Sequence, residues 1–319
     1  MADHKLEATP ETVRWGYWDG SLAPVLTIAS GDRVVIDTVS GEPEDMPDAA
    51  LGFTILDAHR AVLDKGARGS GPHFLTGPIA IEGAEPGDVL EVLVESIDYL
   101  QDWGWNVQLP LHGTLPEDFP ELRRLHVPID MDRGEVAMPW GQTLALAPFF
   151  GNIGVAPPLA HGRLSSVQPR AFGGNMDNKE LGAGTTIYFP VFRPGALFSV
   201  GDGHALQGDG EVCLSAIETA LRGSFRFVLH KGRSLKAPRA ETAETWITMG
   251  FDPDLDDAAK QALREMISLI GELSGLSPQD AYTLCSIAAD LRITQTVDQE
   301  KGVHCVIAKK NLPARPGGN

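Results

Sequence analysis

Along the first three quarters of the chain, short apolar segments alternate with clusters of glycine, proline and aspartate at intervals of roughly ten residues. That pattern predicts a β-sandwich or barrel rather than a helical or doubly wound fold. Three turns share one form: IASGDRVVIDTV from Ile28, IEGAEPGDVLEVLVESI from Ile81 and FRPGALFSVGD from Phe192. In each, a glycine corner leads into an alternating strand, as where Val89, Glu91, Leu93, Glu95 and Ile97 oppose Leu90, Val92 and Val94. The segment 100–142 breaks the pattern, because Trp103, Trp105, Pro110, Pro116, Phe119, Pro120, Pro128, Pro139 and Trp140 crowd into it with little periodicity. It is expected to be an ordered loop or insertion.

The pattern changes class near residue 250. Ala258, Ala259, Ala262, Leu263, Met266, Ile267, Ile270 and Leu273 recur at helical spacing, with acids in the first turn and Gly275 after the end. A second helix starts at SPQD, with Ser277 as N-cap and Pro278 at the first helical position, and is expected to run to about Asp290. Two strands then flank a turn at 300–302, and the tail LPARPGGN is expected to fray. The fold class read from this is mainly β, with a core over 1–250 that carries the insertion at 100–142. A smaller C-terminal α/β portion over 251–319, two helices and a hairpin, packs on that core.

Composition narrows the function. The chain of 319 residues carries 26 Lys and Arg against 43 Asp and Glu, a formal charge of −17. Such a field repels phosphate backbones and anionic lipid, so neither nucleic acid nor a membrane is the expected partner, and a small neutral molecule is. Cys213, Cys285 and Cys305 form no CxxC pair and read as buried thiols of a reducing compartment. No apolar run reaches the length of a membrane span, and the start MADHKLEATPETVRW has no signal-peptide core, so the expected location is the cytoplasm.

Candidate chemistry sits in three glycine-rich segments. In SVGDGHALQGDGE, Asp202 and His204 are two apart, as are Asp209 and Glu211, which on a strand puts each pair on one face. Mixed imidazole and carboxylate donors suit zinc, with manganese or calcium as alternatives; the spacings of an EF-hand and of a Walker A loop are absent. A plain turn with solvated acids fits the same spacing. In FGGNMDNKELGAGTTIYFP, Asn175, Asp177 and Asn178 offer ligands or amide hydrogen bonds, or else an Asx-turn. His73 lies in GPHFLTGPIAIEGAEPGD before a strand, where a structural role is the plainer reading. There is no GxSxG elbow, and Ser165 and Ser166 lack a lysine partner. Cys213 in EVCLSAIE alternates with Val212 and Leu214 as a buried strand residue would, and Glu218 follows an apolar pair that can raise its pKa for proton transfer.

Taken together, HFLTGPIAIEGAEPGDVLEV, PFFGNIGVAP, FGGNMDNKELGAGTTIYFPV, GALFSVGDGHALQGDGEVCLSAIE and DLRITQTVDQEKGVHCVIAKK resemble the acetamidase/formamidase family, over about residues 24–309. The resemblance implies hydrolysis of short amides to carboxylate and ammonia, on a β-sandwich like a jelly roll. It also implies a metal in some members and a homodimer or higher homo-oligomer. Polar positions of the matched motifs put His73, Asp177, Asp202 and His204 on a divalent ion, with Glu211 or Glu218 carrying the proton. Asn175, Gly173, Gly174 and Gln207 are then expected to hold the amide, and Asp209 to be a turn residue. The segment 100–142 does not match a family stretch, so a larger amide, a lactam or an aryl amide is the alternative substrate, with Trp103, Trp105 and His112 narrowing the pocket. A non-catalytic calcium-binding sandwich is the rival reading. It is told apart by its oxygen-only ligands.

Overall fold

The computed structural model describes residues 1–314. Two large sheets, of nine and eleven strands, stack face to face. One set of apolar side chains fills the space between them: Val92, Val94, Ile187 and Phe225 from the first sheet meet Phe150, Ile153, Phe198 and Val200 from the second. Phe198 anchors the contact, with ring centroids 5.9 Å from Phe225 and 5.0 Å from Phe227. The fold is therefore mainly β and a sandwich. In the strand Val89–Tyr99, Leu90, Val92 and Val94 are the buried set and Glu91 and Glu95 the outward one, as the alternation requires.

Phe198–Leu206 behaves differently, with eight of its nine residues buried. It runs between the strands Phe149–Gly154 and Phe74–Ile81, and one face packs the core while the other carries Asp202 and His204. Its glycines serve this tight packing. A Cβ on Gly201 would stand 1.9 Å from the Phe74 carbonyl oxygen, and one on Gly203 2.5 Å from that of Thr219. Only glycine lets the neighbouring backbones approach so closely.

The segment 100–142, expected to be an ordered loop or insertion, carries three strands. Trp103–Gln108, Arg123–Asp130 and Glu135–Ala137 extend the second sheet, joined to it through Glu218 opposite Trp105. Turns and irregular chain make up the rest, the longest stretch being 109–122 with Pro110, Pro116 and Pro120. Pairing along a sheet edge overrode the weak periodicity. A short helix, α1 (Asp57–Lys65), was not anticipated; its nine residues bury only His59 and Val62.

Both C-terminal helices form. In α2 (Leu255–Ser274), the Asp254 side chain accepts from the amides of Asp256 and Asp257, and Gly275 closes the helix at φ 78°. In α3 (Pro278–Ala288), Ser277 caps the Asp280 amide, but the helix stops two residues before the expected end. Asp290 is already in the strand Ala289–Gln295, paired with Val306 of Lys301–Ala308. These strands continue the nine-stranded sheet through Thr245–Asp252, so residue 250 falls inside a strand of the shared sheet. Of the tail expected to fray, 315–319 lie outside the described residues. Among the described residues no helix is long and apolar enough to cross a membrane.

Candidate metal centre and active site

Strand register lines up one row of side chains across the second sheet: Phe149 opposite His204, His204 opposite Glu218, Glu218 opposite Trp105 and Trp105 opposite His126. The strand Gly173–Asn175 adds a second source of donors. Beyond it the chain turns over Gly151, whose carbonyl accepts from the amides of Met176 and Asp177 at 2.9 and 3.2 Å. That turn holds Asp177 at φ 46°, and Asp202 and Glu211 are likewise left-handed at φ 59° and 45°. Such backbone is costly for residues with a Cβ, and concentration of it at one place marks a functional site.

The acids converge on one imidazole nitrogen. His204 Nε2 lies 3.2 Å from Glu218 Oε2, 3.4 Å from Asp202 Oδ1 and 3.8 Å from Asp177 Oδ1. His73 Nε2 stands 3.8 Å from Asp202 Oδ2 on the other side. Gly151 makes the room for this: a Cβ there would fall 2.2 Å from Asp177 Oδ1, 2.7 Å from Asp202 Oδ2 and 2.8 Å from His204 Cε1. Two sets, Asp177 with His204 and Glu211, and Asp202 with His204 and Glu218, bring their donor atoms within 4.8 Å of one another.

Hydrogen bonds behind the cluster fix which atoms face it. Gln207 Nε2 donates to the Asp177 carbonyl at 2.7 Å, which leaves Gln207 Oε1 to accept from His204 Nδ1 at 2.8 Å. This keeps a proton on His204 Nδ1 and aims Nε2 at the acids; burial would lower the imidazole pKa, but Glu218 and Asp202 raise it well above its ordinary value, so Nε2 is the nitrogen that would exchange its proton for a metal. His73 Nδ1 is held by Ser166 Oγ at 2.9 Å. A third chain starts at Trp18, whose indole N–H donates to Asn152 Oδ1 at 3.0 Å. Asn152 Nδ2 then donates to Asn175 Oδ1 at 2.9 Å, so the Asn175 amide nitrogen is the group left for a ligand.

Charge is badly unbalanced here. Asp177, Asp202, Glu211, Glu218 and Asp298 are all at most 7% exposed, against the two imidazoles. Asp177 Oδ1, Glu211 Oε2, Glu218 Oε2 and Asp298 Oδ2 have no hydrogen-bond partner among the described residues. Burial pushes Glu218 up to about 7, with the His204 charge opposing it. Burial, then the Asp177 charge, raises Glu211 well above the usual carboxylate range, and burial followed by Asp177 and Glu211 does the same to Asp298. Asp202 is the exception: burial would raise it, but His73 and His204 hold it below the ordinary value. Buried carboxylates in such excess need protons or a cation, and the carboxylate oxygens, His204 Nε2 and the space over Gly151 fit a divalent ion.

The site opens into a cavity of about 590 Å³ lined by His73, Asn175, Asp177, Asp202, His204, Glu211 and Glu218. Seven sequence candidates thus share one wall. Gly173 and Gly174 do not line the cavity, their backbone being paired with Gly154 and Ile153. Gln207 stands behind His204 instead of facing the cavity. Asp209 pairs with Lys179 at 3.0 Å outside the cluster. Cys213 Sγ rests against the Asn106 amide at 3.3 Å, and among the described residues no imidazole hydrogen-bonds it. Ser166 is fully buried and orients His73, which suits no nucleophile. Two members were not anticipated. Gly151 was visible only as an unexplained glycine in FFGNIG, and Asp298 only as an acid in a turn. Asp298 arrives because Gly210 bonds Thr294 and Thr296 while Gln295 Oε1 accepts from the Asp298 amide, contacts no local spacing announces.

A mainly β sandwich with a buried cluster of acids and histidine that could hold a metal ion, opening into a cavity, defines the class as enzyme-like. The model of the Acetamidase/Formamidase family matches residues 3–161 and 158–313, and the chain belongs to that family. A formamidase of Methylophilus methylotrophus is 32% identical over 200 residues, covering 46% of this chain and 49% of that protein. The chain spans about half the length of the curated relatives it matches, 49% in each case. Among solved structures, an acetamidase of Bacillus halodurans superposes with a TM-score of 0.82 at 29% identity, covering 95% of this chain and 97% of the other. A protein of Thermoanaerobacter tengcongensis described as a predicted acetamidase/formamidase gives 0.83 at 30%, covering 97% of each.

Proposed function

We propose that the protein hydrolyses a carboxylic amide to carboxylate and ammonia with the help of a divalent ion, zinc by the mixed nitrogen and oxygen donors. The observation that carries this is the convergence of Asp177, Asp202 and Glu218 on His204 Nε2 above Gly151, with carboxylate oxygens left unpartnered. Relatives described as formamidase and acetamidase supply the reaction class.

His73, Asp177, Asp202 and His204 would hold the ion, and the chemistry it supplies when bound is Lewis acidity, which lowers the pKa of water and polarises a carbonyl. The rest is the work of the chain. The Asn175 amide nitrogen, freed by Asn152, donates to the substrate carbonyl oxygen and to the negative charge that grows on it. Glu218, its Oε1 accepting from the Ala216 amide and its Oε2 3.2 Å from His204 Nε2, takes one proton from the attacking water. The water oxygen bonds the carbonyl carbon. The C–N bond then breaks as Glu218 passes the same proton to nitrogen, leaving acid and ammonia. Glu211, grouped with Asp177 around His204, is the alternative carrier.

A homo-oligomer in the cytoplasm belongs to the same reading, and light scattering behind size exclusion checks the assembly. The function is tested by ammonia release from formamide and acetamide by protein of measured metal content, before and after chelation and after zinc or manganese add-back. Full activity in strictly metal-free protein rejects the metal-assisted route. Bound metal with no hydrolysis of any amide favours the non-catalytic sandwich.

A further inference from the structure

The cavity is much larger than the smallest amides need. Formamide and acetamide have three and four heavy atoms, and at roughly 30 Å³ for each, the liquid share of one water, they fill on the order of 100 Å³. The cavity measures about 590 Å³.

The acids, His204 and Asn175 form its catalytic floor, and Trp105, Val107, Leu109, Leu111, Leu214 and Val297 contribute apolar wall, alongside polar members such as Glu42, Asp45, Arg124 and Lys301. Trp105 is the nearest of these to the chemistry, because register sets it directly opposite Glu218. Side chains so placed stand about 5 Å apart on one face, so the indole meets the first atoms beyond a carbonyl held at the floor. Leu111 and Leu214 are held at φ 65° and 110°, backbone that leucine adopts only at a cost, and Leu111 is 86% exposed at the mouth. Three of the charged lining residues, Glu42, Asp45 and Arg124, are already paired. Arg124 Nε is 3.0 Å from Asp45 Oδ1, and Arg68 Nη2 is 2.7 Å from Glu42 Oε2.

We infer that the substrate is a primary amide with an uncharged, apolar acyl group of roughly six to twelve heavy atoms, aryl or arylalkyl, whose tail lies along Trp105 and under Leu111. This rests on the amidase reading above and deepens it. The carbonyl and NH₂ groups occupy the floor, and the acyl group displaces water from the wall.

The test is ammonia release by the metal-replete, full-length protein from formamide, acetamide, butanamide, hexanamide, benzamide and phenylacetamide. Transfer of one methylene from water to an apolar wall corresponds to about a threefold to fourfold rise in kcat/KM. The expected series therefore climbs from acetamide to hexanamide, and phenylacetamide exceeds acetamide by at least about thirtyfold. Trp105→Ala is expected to lower the phenylacetamide-to-acetamide ratio at least about tenfold, mainly through KM, with Trp105→Phe restoring most of it. Because Trp105 sits in a strand, Leu111→Gln is the second variant; its exposed side chain puts folding at little risk, and the ratio is expected to fall about threefold. A flat or falling series with acetamide hydrolysed overturns this inference and leaves the amidase reading standing. Ring opening of a lactam in preference to every linear amide overturns the substrate class. Absence of hydrolysis for all of them overturns the amidase reading itself, and the inference with it.

Discussion

Gln207 fixes His204: its carboxamide oxygen accepts from Nδ1 at 2.8 Å while its nitrogen donates to the Asp177 backbone at 2.7 Å. One side chain thus sets both the tautomer of the central imidazole and the position of the turn that delivers Asp177. Outer partners of this kind are commonly worth 10–100-fold in metal affinity or activity. Gln207→Leu is therefore expected to lower bound zinc and kcat/KM by about 10–100-fold, with the far-ultraviolet dichroism of the parent. Unchanged metal affinity in a folded variant would show that His204 is oriented by something else.

Gly151→Ala tests the space for an ion directly. The added carbon would stand 2.2 Å from Asp177 Oδ1, and with Asp202 and His204 also crowded the side chains must separate. The expected outcome is loss of stoichiometric metal and at least about a hundredfold loss of amide hydrolysis. Metal analysis and calorimetric titration with zinc read the first without relying on turnover.

Asp298 adds a fifth buried carboxyl, with Oδ2 unpartnered among the described residues. In metal-free protein it lies beside like groups, so Asp298→Asn is expected to raise the melting temperature of chelated protein by a few degrees, a gain on the order of 1 kcal/mol. The same change is expected to weaken zinc binding. A chelated variant that melts below the parent would contradict the charge argument.

His304 gives a pH dependence away from the centre. Burial pushes its pKa from 6.5 to about 4; its ring donates to or accepts from Thr294 Oγ1 at 2.7 Å, and Nε2 has no partner among the described residues. Between those values the unfolded chain binds the proton and the folded chain does not, so stability present above pH 6.5 is lost as pH falls toward 4. At pH 5 the loss from this group is about 2 kcal/mol. Denaturant midpoints at pH 7 and pH 5, compared with those of His304→Gln, measure it; equal pH slopes in the two proteins would remove the attribution.

Phe198→Ala probes the sandwich itself. The ring is fully buried between the sheets against Phe225 and Phe227, and its loss is expected to cost about 3–5 kcal/mol. Urea unfolding reads this, with the metal content of the folded fraction as a check that the outer face of the strand is spared.

How much of this was legible depends on distance along the chain. Helix α2 could be read almost to the residue, because Asp254, the apolar stripe and Gly275 all lie within the helix they define. The strand Val89–Tyr99 was equally plain, since its faces alternate residue by residue. Asp202 and His204 stood out as a pair two apart on one strand, and Glu211, Glu218, Asp177 and His73 as polar residues in glycine-rich turns. Helix α3 stops short of Asp290 because a strand pairing with 301–308 claims that residue, and the strands within 100–142 carry little local signal because their order comes from pairing with neighbours.

By itself the sequence determined many of the local elements, the acidic field, and the residue types able to bind a cation. Only the tertiary structure brought Gly151 under three donors, set Ser166 behind His73, carried Asp298 to Asp177 and put Trp105 across from Glu218. The physical reason is that caps and alternation act between residues a few positions apart. A metal centre and its cavity are made instead by register between strands that meet only when the sheets close, and no short-range pattern encodes that register.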